Sequence, residues 1–214
     1  MSQRATVAVA ARRLAREGLL VGTAGNVSLR IGDLVAVTAS GVVLGEVTAD
    51  DVVVVRRDGT PVEGDLAPTS ELDLHLGVYA DRPEVGAVVH THAPYSTAVS
   101  CVLDELPVLH YQHLVLGGAT RVAPYATFGT PELADHVRAA LAGRQAALMA
   151  NHGSVAVGAS LDEAVEHAVL LEWLAALHHR ACALGTPRPL SDEEQTAVVL
   201  AAVARGYGRP QETP

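Results

Sequence analysis

"GAVVHTHAPY", residues 86–95, is the stretch on which the reading of this chain turns. From Val85 to His90 the residues are β-branched or small, and no proline interrupts them until Pro94, as expected of a buried strand. Residues i and i+2 of a strand project from one face, about 6.5–7 Å apart. His90 and His92 are therefore expected to aim their imidazoles the same way, with Thr91 turned aside. Each metal–nitrogen bond adds about 2 Å of reach, so two such rings can converge on one ion. Paired histidines also occur on solvated strand faces. The pair gains meaning only from the rest of the chain.

Outward from that strand, helical and strand signals alternate. "MSQRATVAVAARRLAREGLL" reads as an amphipathic first helix, with Val7, Ala10, Ala11 and Leu14 on one face and Gly18 as its stop. Val27–Arg30 and Leu34–Thr38 flank a turn at Gly32–Asp33, and "DDVVVV" is a further strand before a D-G turn. "APTSELDLHLGVYADRP" starts a helix capped by Thr69 or Ser70, with Pro83 beyond its end. Helices are also expected from Tyr95 to Leu103, after Thr130 with Pro131 at the first helical position, and from about Leu161 to Leu184. Two short strands meet around Asn151–Gly153, and a last helix follows Ser191 with three acids in its first turn. Hairpins interspersed with helices predict a mixed or antiparallel sheet, not a doubly wound parallel one. No linker or repeat divides the chain, so residues 1–214 are expected to form a single domain, with 191–214 as a candidate mobile tail.

Composition removes several classes of function. A formal charge of −9 argues against nucleic acid or an anionic membrane as partner. No apolar stretch approaches the roughly 20 residues of a bilayer span. Two cysteines, Cys101 and Cys182, cannot make a disulfide framework, so a reducing cytoplasm is the expected location. All 15 basic residues are arginine. The lack of lysine excludes Schiff-base catalysis, pyridoxal-phosphate attachment and the Walker-type phosphate loop. Any carbanion chemistry here needs a metal as its electron sink.

A third histidine, His152 in "MANHGSVAV", sits where an apolar strand ends and a glycine-containing turn begins. His90, His92 and His152 together supply the three-nitrogen set of a catalytic zinc site, which leaves a coordination position open. Glu71 in "PTSELDLHL" falls in the first turn of its helix; it either complements the helix dipole or serves as a carboxylate near the metal that carries a proton. "GTAGNVS", "TASGV" and "PTSE" are small, polar, glycine-bearing segments whose hydroxyls and backbone N–H groups can cradle an anion without a basic side chain.

In their order along the chain, "GTAGNVS", "TASG", "PTSE", "VVHTHAPYSTAVS", "LPVLHY", "APYATFGTPELADHV", "NHGSVAVG" and "LSDEEQTAVVLAAVARGYG" resemble the class II aldolase/adducin superfamily, most of all its L-fuculose-1-phosphate aldolase branch. The resemblance runs from about residue 4 to 208. It implies an α/β fold: a single three-layer α/β/α domain with a central, largely antiparallel sheet, assembled as a homotetramer with active sites at subunit interfaces. It also implies one Zn²⁺ (or another divalent first-row ion) per subunit, held by His90, His92 and His152, with Glu71 as acid/base and resting-state ligand. By the same resemblance Asn26, Ser40, Gly41, Thr69 and Ser70 hold the substrate phosphate. Tyr111 and Tyr207 protonate or position the aldehyde from the neighbouring subunit, and Phe128 lines that pocket.

The implied activity is cleavage of a 1-phosphorylated ketose, L-fuculose 1-phosphate or a close analogue, to dihydroxyacetone phosphate and a short aldehyde such as L-lactaldehyde. Methylthioribulose-1-phosphate dehydratases, tetronate-phosphate decarboxylases and ribulose-phosphate 4-epimerases share the fold, although the epimerases typically carry Asp where this chain has Glu71. Adducin-type relatives are non-catalytic binding proteins that typically lack the complete histidine set. "YQHLVLGGATRV" departs from the branch on the aldehyde side, which leaves the aldehyde open.

Overall fold

The computed structural model describes residues 2–205, so Tyr207 and the end of the segment 191–214 lie outside the described residues. Nine strands form one sheet: β1 Asn26–Ile31, β2 Leu34–Thr38, β3 Val52–Arg56, β4 Pro61–Glu63, β5 Ala87–Thr91, β6 Glu105–Leu106, β7 Thr120–Ala123, β8 Ala146–Met149 and β9 Gly153–Gly158. Their order is β4-β3-β2-β1-β5-β9-β8-β7-β6. All pairings between these strands are antiparallel except that of β7 with β8. Around the sheet lie α1 Gln3–Arg16, α2 Leu72–Asp81, α3 Pro94–Ser100, α4 Pro131–Ala140, α5 Leu161–Leu184 and α6 Asp192–Arg205.

Strand periodicity divides the core in two. Val52 and Val54 of β3 and Ala87 and Val89 of β5 pack in one cluster with Val7 and Leu14 of α1, Val99 of α3 and Leu171 of α5. Val53, Val55 and Val88 point the other way, against Leu74 and Val78 of α2 and Val137 of α4. A run such as "VVVV" is therefore buried on both faces, which a strand achieves only between two helical layers. Three layers, α/β/α, follow, as the resemblance implied. None of the residues of α6 is buried; the helix lies against the 3₁₀ segment Tyr111–Leu116.

The strand read from Val85 to His90 runs from Ala87 to Thr91, and two helix ends also differ from expectation. Helix α3 ends at Ser100, not Leu103, because the N–H groups of Val102 and Leu103 both turn back to the Val99 carbonyl. Helix α2 begins at Leu72 with Glu71 in the N-cap position (φ −100°, ψ 24°), so neither Thr69 nor Ser70 caps it. The cause is a strand-like pairing of the preceding residues: Ser40 N–H donates to Ala67 O, Thr69 N–H donates to Thr38 O, and Ala39 bridges Pro68. That pairing keeps the chain extended through Thr69 and lays "TASG" beside "PTSE". The Thr69 hydroxyl then accepts the Glu71 N–H instead of capping the helix.

Candidate active site

Asn26 of β1 lies directly opposite His90 of β5 in the antiparallel register, and directly opposite residues share a face. Parity places His90 with Val88, on the side of the sheet covered by α2. His92 follows just beyond the strand end, where its N–H donates to Leu19 O. The segment after β8 is tied residue by residue: Ala150 N–H to Ala123 O, Asn151 N–H to Ser100 O, and His152 N–H to Met149 O. Asn151, at φ 55°, is the one non-glycine with positive φ among the described residues, a conformation that Asn tolerates better than most side chains. His152 is delivered from that turn.

The three rings meet. Their centroids stand 4.7 Å (His90–His92), 4.9 Å (His90–His152) and 4.9 Å (His92–His152) apart, each pair edge to face. One ring nitrogen from each lies within 4.8 Å of the others. The fully buried His90 donates Nδ1–H to the Ser154 carbonyl at 2.9 Å, and a carbonyl only accepts. With Nδ1 so committed, Nε2 is the His90 nitrogen that faces the group, 2.9 Å from His92 Nε2 and 3.1 Å from Glu71 Oε2. Burial first, then the neighbouring His90 and His152, lowers the His92 pKa to about 4, and burial likewise lowers that of His152. These rings stay unprotonated at neutral pH, as metal ligands must.

Glu71 closes the group. Its Oε2 accepts from Asn26 Nδ2 at 2.9 Å, while Oε1 is buried with no hydrogen-bond partner and lies 3.7 Å from His152 Nε2. Burial pushes its pKa up, but His90, the Asn26 donor and His152 outweigh that and hold it below the ordinary value. A cluster of imidazole lone pairs with an orphaned carboxylate oxygen is a donor set that fits a divalent first-row cation.

Beside the cluster opens a cleft of roughly 340 Å³. It brings Asn26, Ser40, Gly41, Thr69, Ser70, Glu71, His92, Phe128 and His152 together, all of them expected from the sequence. Among the described residues no arginine lines it. Since Ser40 and Thr69 direct their N–H groups to backbone carbonyls, their hydroxyls are what they can offer an anion. Tyr111 does not reach this cleft within the chain. It lines a separate hollow with Val198, Ala201, Ala202 and Arg205. Sequence reasoning missed Thr23, Tyr125 and Asn151 in the wall, and His75, Ser28 and Tyr79 beneath it. The last three were findable: Glu71, His75 and Tyr79 recur every four residues, facing Asn26 and Ser28 spaced by two.

The chain matches the model of the family described as Class II Aldolase and Adducin N-terminal domain over residues 5–179. Among curated relatives, it is 41% identical to the 5-methylthioribulose-1-phosphate/5-deoxyribulose-1-phosphate aldolase of Rhodospirillum rubrum, covering 89% of this chain and 86% of the relative. It is 36% identical to the 5-deoxy-D-ribulose 1-phosphate aldolase of Bacillus thuringiensis, with 97% of each covered, and 41% identical to the L-fuculose phosphate aldolase of Escherichia coli K12, with 87% of each covered. Among solved structures it superimposes on an L-fuculose 1-phosphate aldolase with a TM-score of 0.89 at 35% identity, covering 94% of this chain and 97% of that one.

Proposed function

This chain belongs to the class II aldolase and adducin family and is a lyase of that family, and from that premise we propose that it cleaves a 1-phosphorylated ketose, L-fuculose 1-phosphate or a close analogue, to dihydroxyacetone phosphate and a short aldehyde. The observation that carries this reading is the convergence of His90, His92 and His152 on one another beside Glu71, whose Oε1 is buried without a hydrogen-bond partner, at the edge of a cleft lined with hydroxyls.

His90, His92 and His152 would hold the metal, which we assign as zinc, one per subunit. When bound it supplies a Lewis acid for negative charge developing on the ketose oxygens. Glu71, whose lowered pKa keeps it ionised and so free to accept, exchanges the proton on the hydroxymethyl carbon beside the ketone. The hydroxyls of Ser40, Thr69 and Ser70, the backbone at Gly41 and the second amide proton of Asn26 orient the phosphate, fixing the reacting carbon against Glu71. In cleavage the hydroxyl next to the breaking carbon–carbon bond loses its proton as it becomes the aldehyde; in condensation the aldehyde oxygen gains one.

For that oxygen we assign Tyr111 and Tyr207 of a neighbouring subunit in a homotetramer, with Phe128 and Tyr125 bounding the aldehyde pocket. Support for assembly comes from large apolar side chains left exposed, Trp173, Val115, Leu184 and Val203 among them. Free, exposed Cys101 and Cys182 suit a cytoplasmic setting. Among the described residues no helix is long and apolar enough to cross a membrane.

The test is a cleavage screen of L-fuculose 1-phosphate and 5-deoxyribulose 1-phosphate with zinc present, followed by NMR of the products. Both ketoses belong in it because the relatives carry both names. Two fragments, one of them dihydroxyacetone phosphate, support the proposal. Water loss, epimerisation or carbon dioxide release from an intact skeleton overturns it.

A further inference from the structure

We propose that His75 is a positioning residue for Glu71, acting through the side chain of Asn26; this rests on the reading of Glu71 as the proton carrier. Glu71, at the N-cap of α2, and His75 and Tyr79 within it occupy positions i, i+4 and i+8, with a helical rise of about 6 Å per four residues. Asn26 and Ser28 occupy i and i+2 of β1, about 6.8 Å apart. The two spacings nearly match, so helix and strand meet rung for rung on the covered face of the sheet. All five side chains are buried, His75 and Ser28 completely.

Hydrogen-bond chemistry gives every proton in this row one place. The Glu71 carboxylate only accepts, so the Asn26 amide nitrogen faces it, at 2.9 Å from Oε2. The amide oxygen Oδ1 then faces His75 Nε2 and also only accepts, so the imidazole proton sits on Nε2. His75 Nδ1 is left as an acceptor, and Ser28 Oγ donates to it at 2.7 Å. Ser28 Oγ in turn accepts from the Tyr79 hydroxyl at 2.7 Å. In the other imidazole tautomer, a lone pair would confront Oδ1. The amide would turn over and set its carbonyl against Glu71. Which tautomer His75 holds thus decides whether Glu71 meets a donor or an acceptor, and so where its free oxygen points.

A row that served only to glue α2 to β1 would affect stability alone. Positioning predicts a split in the kinetics instead. With zinc-loaded enzyme and the ketose phosphate that wild type cleaves, His75→Leu is expected to lower kcat about 10- to 100-fold at unchanged metal content, with any rise in KM from the second Asn26 amide proton smaller than the fall in kcat. His75→Gln restores an N–H near the Nε2 position and is expected to recover most of the loss. Ser28→Ala, which releases the tautomer while keeping the imidazole, is expected to lower kcat in the same sense and covers the case in which His75→Leu does not fold. Wild-type kcat in His75→Leu or Ser28→Ala, or a raised KM at unchanged kcat, would overturn the proposal, the latter by making phosphate the object of the Asn26 amide. Independently of turnover, ¹⁵N NMR of the wild type should show His75 as the Nε2–H tautomer, and the Nδ1–H tautomer would also overturn it. If wild type cleaves no phosphorylated ketose, the functional reading fails, while the tautomer measurement still decides the orientation of Asn26.

Discussion

Nε2 of His90 stands 2.9 Å from Nε2 of His92, and the His90 proton is already committed, on Nδ1, to the Ser154 carbonyl. Lone pairs brought this close repel unless a cation or a proton lies among them. Adding a divalent ion to chelator-stripped protein is therefore expected to stabilise the fold by about 4 kcal/mol at a thousandfold excess over Kd. At about 2–4 °C per kcal/mol for a chain of this size, the rise in Tm is measurable by calorimetry. His92→Ala is expected to lower the metal content of the purified protein. Full occupancy in that variant would remove His92 from the ligand set.

Glu71 is expected to matter to proton movement more than to metal retention, because three imidazoles remain without it. Glu71→Gln keeps the shape and the contact to Asn26 but cannot take up a proton. We expect it to retain metal and to lose exchange of the hydroxymethyl proton of dihydroxyacetone phosphate by about 10²–10⁴-fold, followed by NMR in deuterium oxide. Exchange at the wild-type rate would end the assignment of Glu71 as base.

The parts of this architecture that were legible in the sequence are those where one periodicity acts alone. The β-branched runs around Val53 and Val88, the Thr130–Pro131 start of α4 and the span of α5 all follow from local pattern, and the structure has them where expected. The convergence of His90, His92 and His152 was legible through motif order, since the last of these is separated by some sixty residues from the others. What escaped were relations between elements. The row from Tyr79 to Glu71 needs a four-residue helical repeat to be set against a two-residue strand repeat, and neither segment announces the other. The start of α2 moved to Leu72 for the same reason: the pairing of Thr69 with Thr38 is invisible to local capping rules. Tyr111 faces away from the cleft of its own chain, so its proposed role depends on a second subunit.

Gly153 should tolerate no side chain. A Cβ built there would fall 2.3 Å from the Thr91 carbonyl oxygen and 3.4 Å from His90 Cε1. Backbone cannot yield as a flexible side chain can, so β9 would have to move off β5, where Thr91 pairs with Ser154. Gly153→Ala is expected to cost about 1–3 kcal/mol of stability, measured by urea unfolding, and to lower metal affinity because His90 takes its tautomer from Ser154. An unchanged unfolding midpoint would mean that the strands part more easily than this packing implies.

Glu172 of α5 supplies the cap that α3 lacks. Its carboxylate accepts from Tyr95 N–H at 2.8 Å, Ser96 N–H at 2.8 Å and the Ser96 hydroxyl at 2.7 Å, while Ala93 at the N-cap has no side chain to offer. These bonds fix the chain three and four residues after His92. Glu172→Leu is expected to cost about 0.5–2 kcal/mol as a lost cap and to weaken metal binding about tenfold or more, with Glu172→Gln intermediate. Calorimetry and a competitive chelator titration separate the two effects. Loss of stability without any change in metal affinity would show that α3 is secured independently of His92.

His113 gives the fold a pH dependence separate from the histidine cluster. It is buried, with Nε2 2.7 Å from the Thr120 hydroxyl and a further hydrogen bond to the Pro107 backbone. Burial lowers its pKa from 6.5 to about 4, with the nearby Arg144 charge adding to the effect and the Pro107 bond opposing it. Between those values the unfolded chain binds a proton at this site and the folded chain does not. Stability is therefore complete above pH 6.5 and falls as the pH drops towards 4, with a slope approaching about 1.4 kcal/mol per pH unit for one proton. His75 and His92, lowered by burial to about 3 and about 4, contribute in the same sense, so the useful quantity is a difference between two proteins. His113→Gln keeps a donor near Thr120 but does not titrate. Its unfolding free energy, measured by urea denaturation of the metal-free protein, is expected to lose close to one proton of slope between pH 6.5 and 4, so that it approaches or overtakes wild type at the acid end. Parallel curves for the two proteins would show that His113 titrates no differently in the folded chain than in the unfolded one.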